Sequence, residues 1–134
     1  MIGLVVATHG KLGQELLTSA EMIIGPVRNA AAVSIDHDND LETIRANIEQ
    51  AISRVNQDGQ GVLIVTDMFG GTPANVSMTF LEPGQIDVLT GVNLPIVLKF
   101  FNSQESVKLS ELAGILKAYG QQSIAQASDY LHRK

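Results

Sequence analysis

From Leu4 to Ala7 apolar residues run unbroken, and from Leu12 to Ile24 they return every three or four places. The first is the pattern of a buried strand and the second that of a helix with one apolar face. The same alternation continues along the chain. Ile2–Ala7 is expected to be a strand, and Leu12–Ile24 a helix closed by Gly25-Pro26, which cannot continue one. Ala30–Ile35 reads as a second strand. Leu41–Asn56 follows as a helix with Leu41, Ile44, Ile48, Ile52 and Val55 on one stripe. Val62–Val65 is apolar throughout, as in a strand covered on both faces. A short helix over about Pro73–Phe80, a fourth strand at Ile86–Leu89, a helix from about Leu94 and another over Leu109–Tyr119, ending at Gly120, complete the regular part. The tail "QQSIAQASDYL" carries a weaker pattern, read as a last short strand through Ile124 and Ala127.

Strands separated by helices make parallel neighbours. The expectation is therefore one α/β domain spanning residues 1–134, with a single open, mainly parallel sheet and helices on both faces. A length of 134 residues suits one core. With 45% hydrophobic and 17% charged residues the composition is that of a soluble globular chain. A net charge of −5 argues against a general nucleic-acid binder. There is no cysteine, which removes disulfides and thiolate metal sites and agrees with a cytoplasmic location. The start has no signal-peptide pattern, and no apolar run approaches the ~20 residues of a membrane span.

Three histidines offer chemistry. His132, in "LHRK", is expected to be a solvated terminal residue. His37 sits among Asp36, Asp38 and Asp40. That group reads as a solvated loop that caps the next helix in preference to a cation site. His9 differs, because it closes an apolar strand and is followed at once by Gly10 and a helix. At the carboxyl end of a strand in an open α/β sheet, ligands and chemistry gather. Asp67, in "VTDMFGGTP", closes another apolar strand and falls on the same edge. A carboxylate accepting from one imidazole nitrogen fixes the tautomer and leaves the other nitrogen as a nucleophile. No G-x-S-x-G elbow is present, so the histidine itself is the candidate nucleophile and phosphate its natural electrophile.

Gly70 and Gly71 allow close backbone approach, Thr72 offers a hydroxyl, and Pro73 starts a helix. The alternative for "GGTP" is a plain turn with a capping threonine. Gly10 is expected to clear space beside His9 and open the first helix. "TGVNLP", with Asn93 as a helix cap and Pro95 in the first turn, follows a third strand at the same edge. Nothing matches a Walker or a dinucleotide-binding loop.

With "VVATHGKLGQELLTSAEMIIG", "VLIVTDMFGGTPANVS" and "TGVNLPIVL" in view, the chain resembles the mannose-family enzyme IIA of the bacterial phosphotransferase system, from Met1 to about Phe101. The resemblance implies a sheet of strand order 2-1-3-4 and a phosphoryl carrier. It implies that His9 accepts phosphate, through Nε2, from the phosphocarrier HPr and passes it to enzyme IIB, which serves the membrane subunits IIC and IID. Asp67 would be the hydrogen-bonding partner of His9. Thr72 would contact the phosphoryl group, with Gly10, Gly70 and Gly71 around it, while Met68 and Phe69 shape the rim. No metal or other cofactor is implied. Many relatives are homodimers in which a C-terminal strand pairs with the partner's sheet. Since the sequence stops at Lys134 without a linker into a IIB domain, donation to a separate protein is expected. A regulatory phosphoprotein and the IIA-like subunit that feeds dihydroxyacetone kinase are the related alternatives. A small hydrolase using His9 and Asp67 is a more distant one.

Overall fold

Alternation along the two central strands sorts the core into two layers, because successive strand side chains point to opposite faces. In β1 (Gly3–His9), Leu4 and Val6 belong to one layer and Val5 and Ala7 to the other. In β3 (Val62–Thr66), Leu63 and Val65 join the first pair and Val62 and Ile64 the second. The first layer is covered by α1 (Leu12–Ile24), α4 (Leu94–Ser103) and α5 (Leu109–Gln122), through Leu17, Ala20, Phe100, Leu112 and Leu116. The second is covered by α2 (Leu41–Val55), through Ile44, Ile48 and Ile52, and by Val76 of the short α3 (Thr72–Met78). Each fully buried aliphatic or aromatic side chain of this kind stabilises the fold by about 1.5–3 kcal/mol.

The computed structural model describes residues 1–131; His132 lies outside them. β2 (Ala30–Ile35) and β4 (Ile86–Thr90) flank the central pair, and all three pairings are parallel in the order β2-β1-β3-β4. This is the expected open α/β architecture. The chain moves one way from β1 to β2 and then returns to the other side of β1 with β3. The switch in direction therefore falls between the carboxyl ends of β1 and β3, where open α/β sheets leave a crevice.

Several element ends shift by a residue or two, as in β1 (Gly3–His9) and α3 (Thr72–Met78), and two departures have causes in the packing and local bonding. Gly120 does not end α5, which continues to Gln122. The glycine is there for packing: a Cβ on it would come within 2.6 Å of Ile96 Cγ1, so its absence lets α5 lie against α4. Asn93 locks the same contact. Its Oδ1 accepts from the Ile96 N–H at 3.0 Å and caps α4, while its Nδ2 donates to the Gly120 carbonyl at 3.4 Å. The tail forms no strand among the described residues. Ile124 is exposed and irregular, and Ala127–Leu131 is a short helix, α6. Its first turn is closed locally by the Gln126 carbonyl, which accepts from Asp129 and Tyr130, and by the Gln126 side chain, which donates to Ser128 Oγ at 3.0 Å. With local partners available, the weak apolar spacing of Ile124 and Ala127 does not decide the conformation.

Candidate functional site

β1 extends two residues beyond its apolar run, with Thr8 paired to Ser34 and His9 to Ile35 on the β2 side. On the other side Ala7 pairs with Thr66, the last residue of β3. Asp67 is the next residue, so it emerges beside Thr8 and within reach of His9. The two side chains meet: His9 Nδ1 lies 2.8 Å from Asp67 Oδ2. The same oxygen accepts from the His9 main-chain N–H at 3.1 Å. One carboxylate oxygen thus grips His9 by both ring and backbone, which fixes the ring's orientation.

The carboxylate is mostly shielded and the imidazole is open, with side-chain exposures of 13% for Asp67 and 52% for His9. Burial pushes the Asp67 carboxyl pKa up, but the hydrogen bonds from the His9 ring and main chain, with the charge on His9, outweigh it. The net shift is downward. A carboxyl ionised at neutral pH has no proton to give, so Nδ1 carries the hydrogen in this bond. In the neutral ring, Nε2 then holds the lone pair, directed away from Asp67. This is the arrangement of a nucleophilic or proton-accepting imidazole.

The loops around the ring use glycine for two reasons. Gly10 (φ +56) and Gly70 (φ +89) adopt left-handed backbone with open space at the Cβ position, so conformation requires them. The Gly10 N–H donates to the Ile35 carbonyl at 3.0 Å and turns the chain towards α1. Gly71 and Gly13 are instead places of close approach. Gly71 caps α3 and lies against the His9 ring, and Thr72, exposed, opens that helix. The structure therefore brings Asp67 and Gly71 each against His9, carries Gly10 and Gly70 on the adjoining loops, and sets Thr72 at the start of α3.

Thr8 escaped the sequence reading. α1 has Lys11 at its N-cap with no side-chain cap bond. The cap comes from below, where buried Thr8 Oγ1 accepts the Gly13 N–H at 2.7 Å. Gly13 allows this, since a Cβ there would sit 2.8 Å from the Val6 carbonyl oxygen and 3.2 Å from Thr8 Oγ1. The available signal was a threonine buried in an apolar strand five residues before a glycine in the following helix. At the third strand exit, the Gly91 and Val92 N–H groups both donate to the Thr66 carbonyl, at 3.0 and 2.9 Å. That exit shares the sheet edge, but Asn93 serves α4 and α5, as above. His37 is fully exposed, with Asp38 3.8 Å away, while Asp40 caps α2 by accepting from the Thr43 N–H at 2.7 Å.

Fold and site together define a class: open parallel α/β proteins that present a carboxylate-oriented imidazole at the switch point of the sheet. The comparisons with known proteins narrow it. The profile of the EIIA-man family, described as PTS system fructose IIA component, matches residues 3–116. The chain is 34% identical to the PTS system fructose-specific EIIA component of Bacillus subtilis (strain 168), over 99% of this chain and 91% of that protein. It is 25% identical to the mannose-specific EIIAB component of Escherichia coli (strain K12), over 92% of this chain but only 38% of that longer protein. Among solved structures it is similar to the mannose/sorbose specific IIA subunit from Enterococcus faecalis, with TM-score 0.80, 29% identity and 93% of each chain covered. The EIIA component from Streptococcus agalactiae shares the fold, with TM-score 0.86 at 23% identity, over 96% of this chain and 99% of that one. The chain belongs to the EIIA-man family, and is thus a phosphoryl-carrying component of a sugar phosphotransferase system.

Proposed function

We propose that the chain is an EIIA domain over its whole length, residues 1–134, that accepts a phosphoryl group on Nε2 of His9 from phosphorylated HPr. It then hands that group to an enzyme IIB. The observation that carries this reading is the 2.8 Å contact of Asp67 with Nδ1, which leaves Nε2 as the free nucleophile. The Nε2 lone pair attacks phosphorus, the P–Nε2 bond forms as the P–N bond to the donor imidazole breaks, and the donor ring leaves. The phosphorylated His9 ring keeps its proton on Nδ1 and is cationic, and the Asp67 carboxylate stabilises it. Charge on the transferring group spreads over three oxygens, so positioning and nearby donors dominate the chemistry. Thr72 and the Gly70-Gly71 backbone are the donors nearest in the chain, with Gly10 leaving room on the other side.

Donor and acceptor are both phosphohistidines, so the transfer calls for neither nucleotide nor metal. Met68 and Phe69, 53% and 73% exposed and next in the chain after Asp67, and Leu12, 46% exposed and two residues after Gly10, are apolar side chains on which protein partners dock. No helix among the described residues is long and apolar enough to cross a membrane. That agrees with a cytoplasmic carrier that meets IIC and IID only through IIB. A second copy of the chain is a further partner, for which the outer edge of β4, bridged among the described residues only at Ile86, to Glu82, offers a face beyond that residue. Fructose is the sugar named for one relative and the first to test.

The experiment is incubation of the chain with phosphoenolpyruvate, enzyme I and HPr, followed by mass spectrometry to locate the phosphate. A single acid-labile phosphate on His9, absent from His9→Ala, is expected. A chain that stays unmodified, or a label retained by His9→Ala, refutes the reading.

A further inference from the structure

Gly71 lies closer to the His9 ring than a residue with a side chain can. A Cβ on Gly71 would sit 2.8 Å from Cε1 and 3.3 Å from Nε2, inside normal contact distance for heavy atoms. The backbone there does not itself require glycine: φ is −91° and ψ 171°, extended values open to any residue. What the position requires is the empty space. The ring is therefore bounded on two adjoining edges. Asp67 Oδ2 holds Nδ1 at 2.8 Å, and Gly71 approaches from the side of Cε1 and Nε2 with no room left for a Cβ.

We propose that Gly71 is a positioning residue for His9, its missing side chain leaving the room in which Asp67 holds the imidazole so that Nε2 faces the incoming phosphoryl group. This rests on the phosphoryl-carrier reading and adds to it a steric role separate from any hydrogen bond the Gly71 N–H makes. A methyl group at Gly71 keeps that N–H and keeps the backbone unstrained. It displaces the half-exposed ring outward, and an outward swing breaks the bond from Nδ1 to Asp67. Gly71→Ala and Asp67→Asn thus act on the same contact from opposite sides.

The test uses the full chain as wild type, Gly71→Ala, Asp67→Asn and the double variant. The ring-nitrogen shifts of His9 in the unphosphorylated protein are recorded by nitrogen-15 NMR. Initial rates of phosphoryl loading from HPr are measured in parallel. Gly71→Ala is expected to melt close to wild type and to lose the Nδ1–H pattern of the ring. It should load about a hundredfold more slowly, the penalty of a small misplacement of a reacting group. In the double variant the combined loss should be smaller than the product of the two single losses, since both changes release one ring. Ring nitrogens in Gly71→Ala that superimpose on wild type, or losses that multiply, overturn the proposal. In wild-type protein a strong proton–proton Overhauser contact between Gly71 Hα and His9 Hε1 is expected however the variant folds, and its absence also overturns it. Failure of the wild type to load sinks the carrier reading alone, because the ring-nitrogen shifts still decide what Gly71 does.

Discussion

Asp67 is where the energetics of the site concentrate. Its carboxylate is shielded from water, which raises its pKa, yet two hydrogen bonds and the charge of His9 bring it below the ordinary carboxylate range. The sign of the linked stability follows. A depressed folded-state pKa stabilises the fold fully above the unfolded value, and that contribution is lost as pH falls through the folded value. Asp67→Asn removes this link, so its urea midpoint, measured from pH ~6 down to ~2, should fall less steeply than that of wild type. An identical acid limb in both proteins would show that the pair adds nothing to folding. The same substitution should slow phosphoryl loading by about 10²–10⁴-fold, because the amide leaves the ring free to take the wrong tautomer. Residues of this kind were legible in the sequence, since His9 and Asp67 each close an apolar strand. Gly71 was legible as a glycine but not as a contact, because its approach to the ring depends on the course of the loop after β3 and not on where a strand ends.

At the scale of elements, one residue type serves opposite purposes. Gly25 ends α1 in a left-handed conformation (φ +85), its N–H donating to the Glu21 carbonyl at 2.9 Å. Gly120 sits inside α5 and makes room for Ile96. Local pattern finds the first and misreads the second, because only tertiary packing separates them. The start of α1 shows the same limit. Its cap is Thr8, on the strand beneath, and no search of the residues just before Leu12 would find it. Thr8→Val keeps the shape of the side chain and removes the acceptor, stranding the buried Gly13 N–H. The cost should be about 1–3 kcal/mol in urea unfolding, with hydrogen exchange accelerated at the Gly13 amide. An unchanged Gly13 exchange rate would show that the strand does not cap the helix.

Across the whole molecule, the site depends on register. Ala7 stands opposite Thr66 because alternate residues of β1 and β3 share the same two buried layers. A slip of one residue would turn every one of these side chains to the wrong face. The two cores therefore hold Asp67 level with Thr8, one residue short of His9 and within reach of its ring. Strand order came from the family resemblance, whereas parallel pairing and two-faced covering were already implied by strands alternating with helices. The tail was the least legible part, since its pattern is weak and local hydrogen bonds settle it as α6. The most direct measurement is made on nitrogen-15-labelled protein loaded with phosphate, in which phosphorus–nitrogen coupling assigns the phosphoryl group to one ring nitrogen. Coupling to Nε2 of His9, with Nδ1 still protonated against Asp67, is the expected result. Coupling to Nδ1, or to no nitrogen of His9, would contradict the arrangement on which the whole site is built.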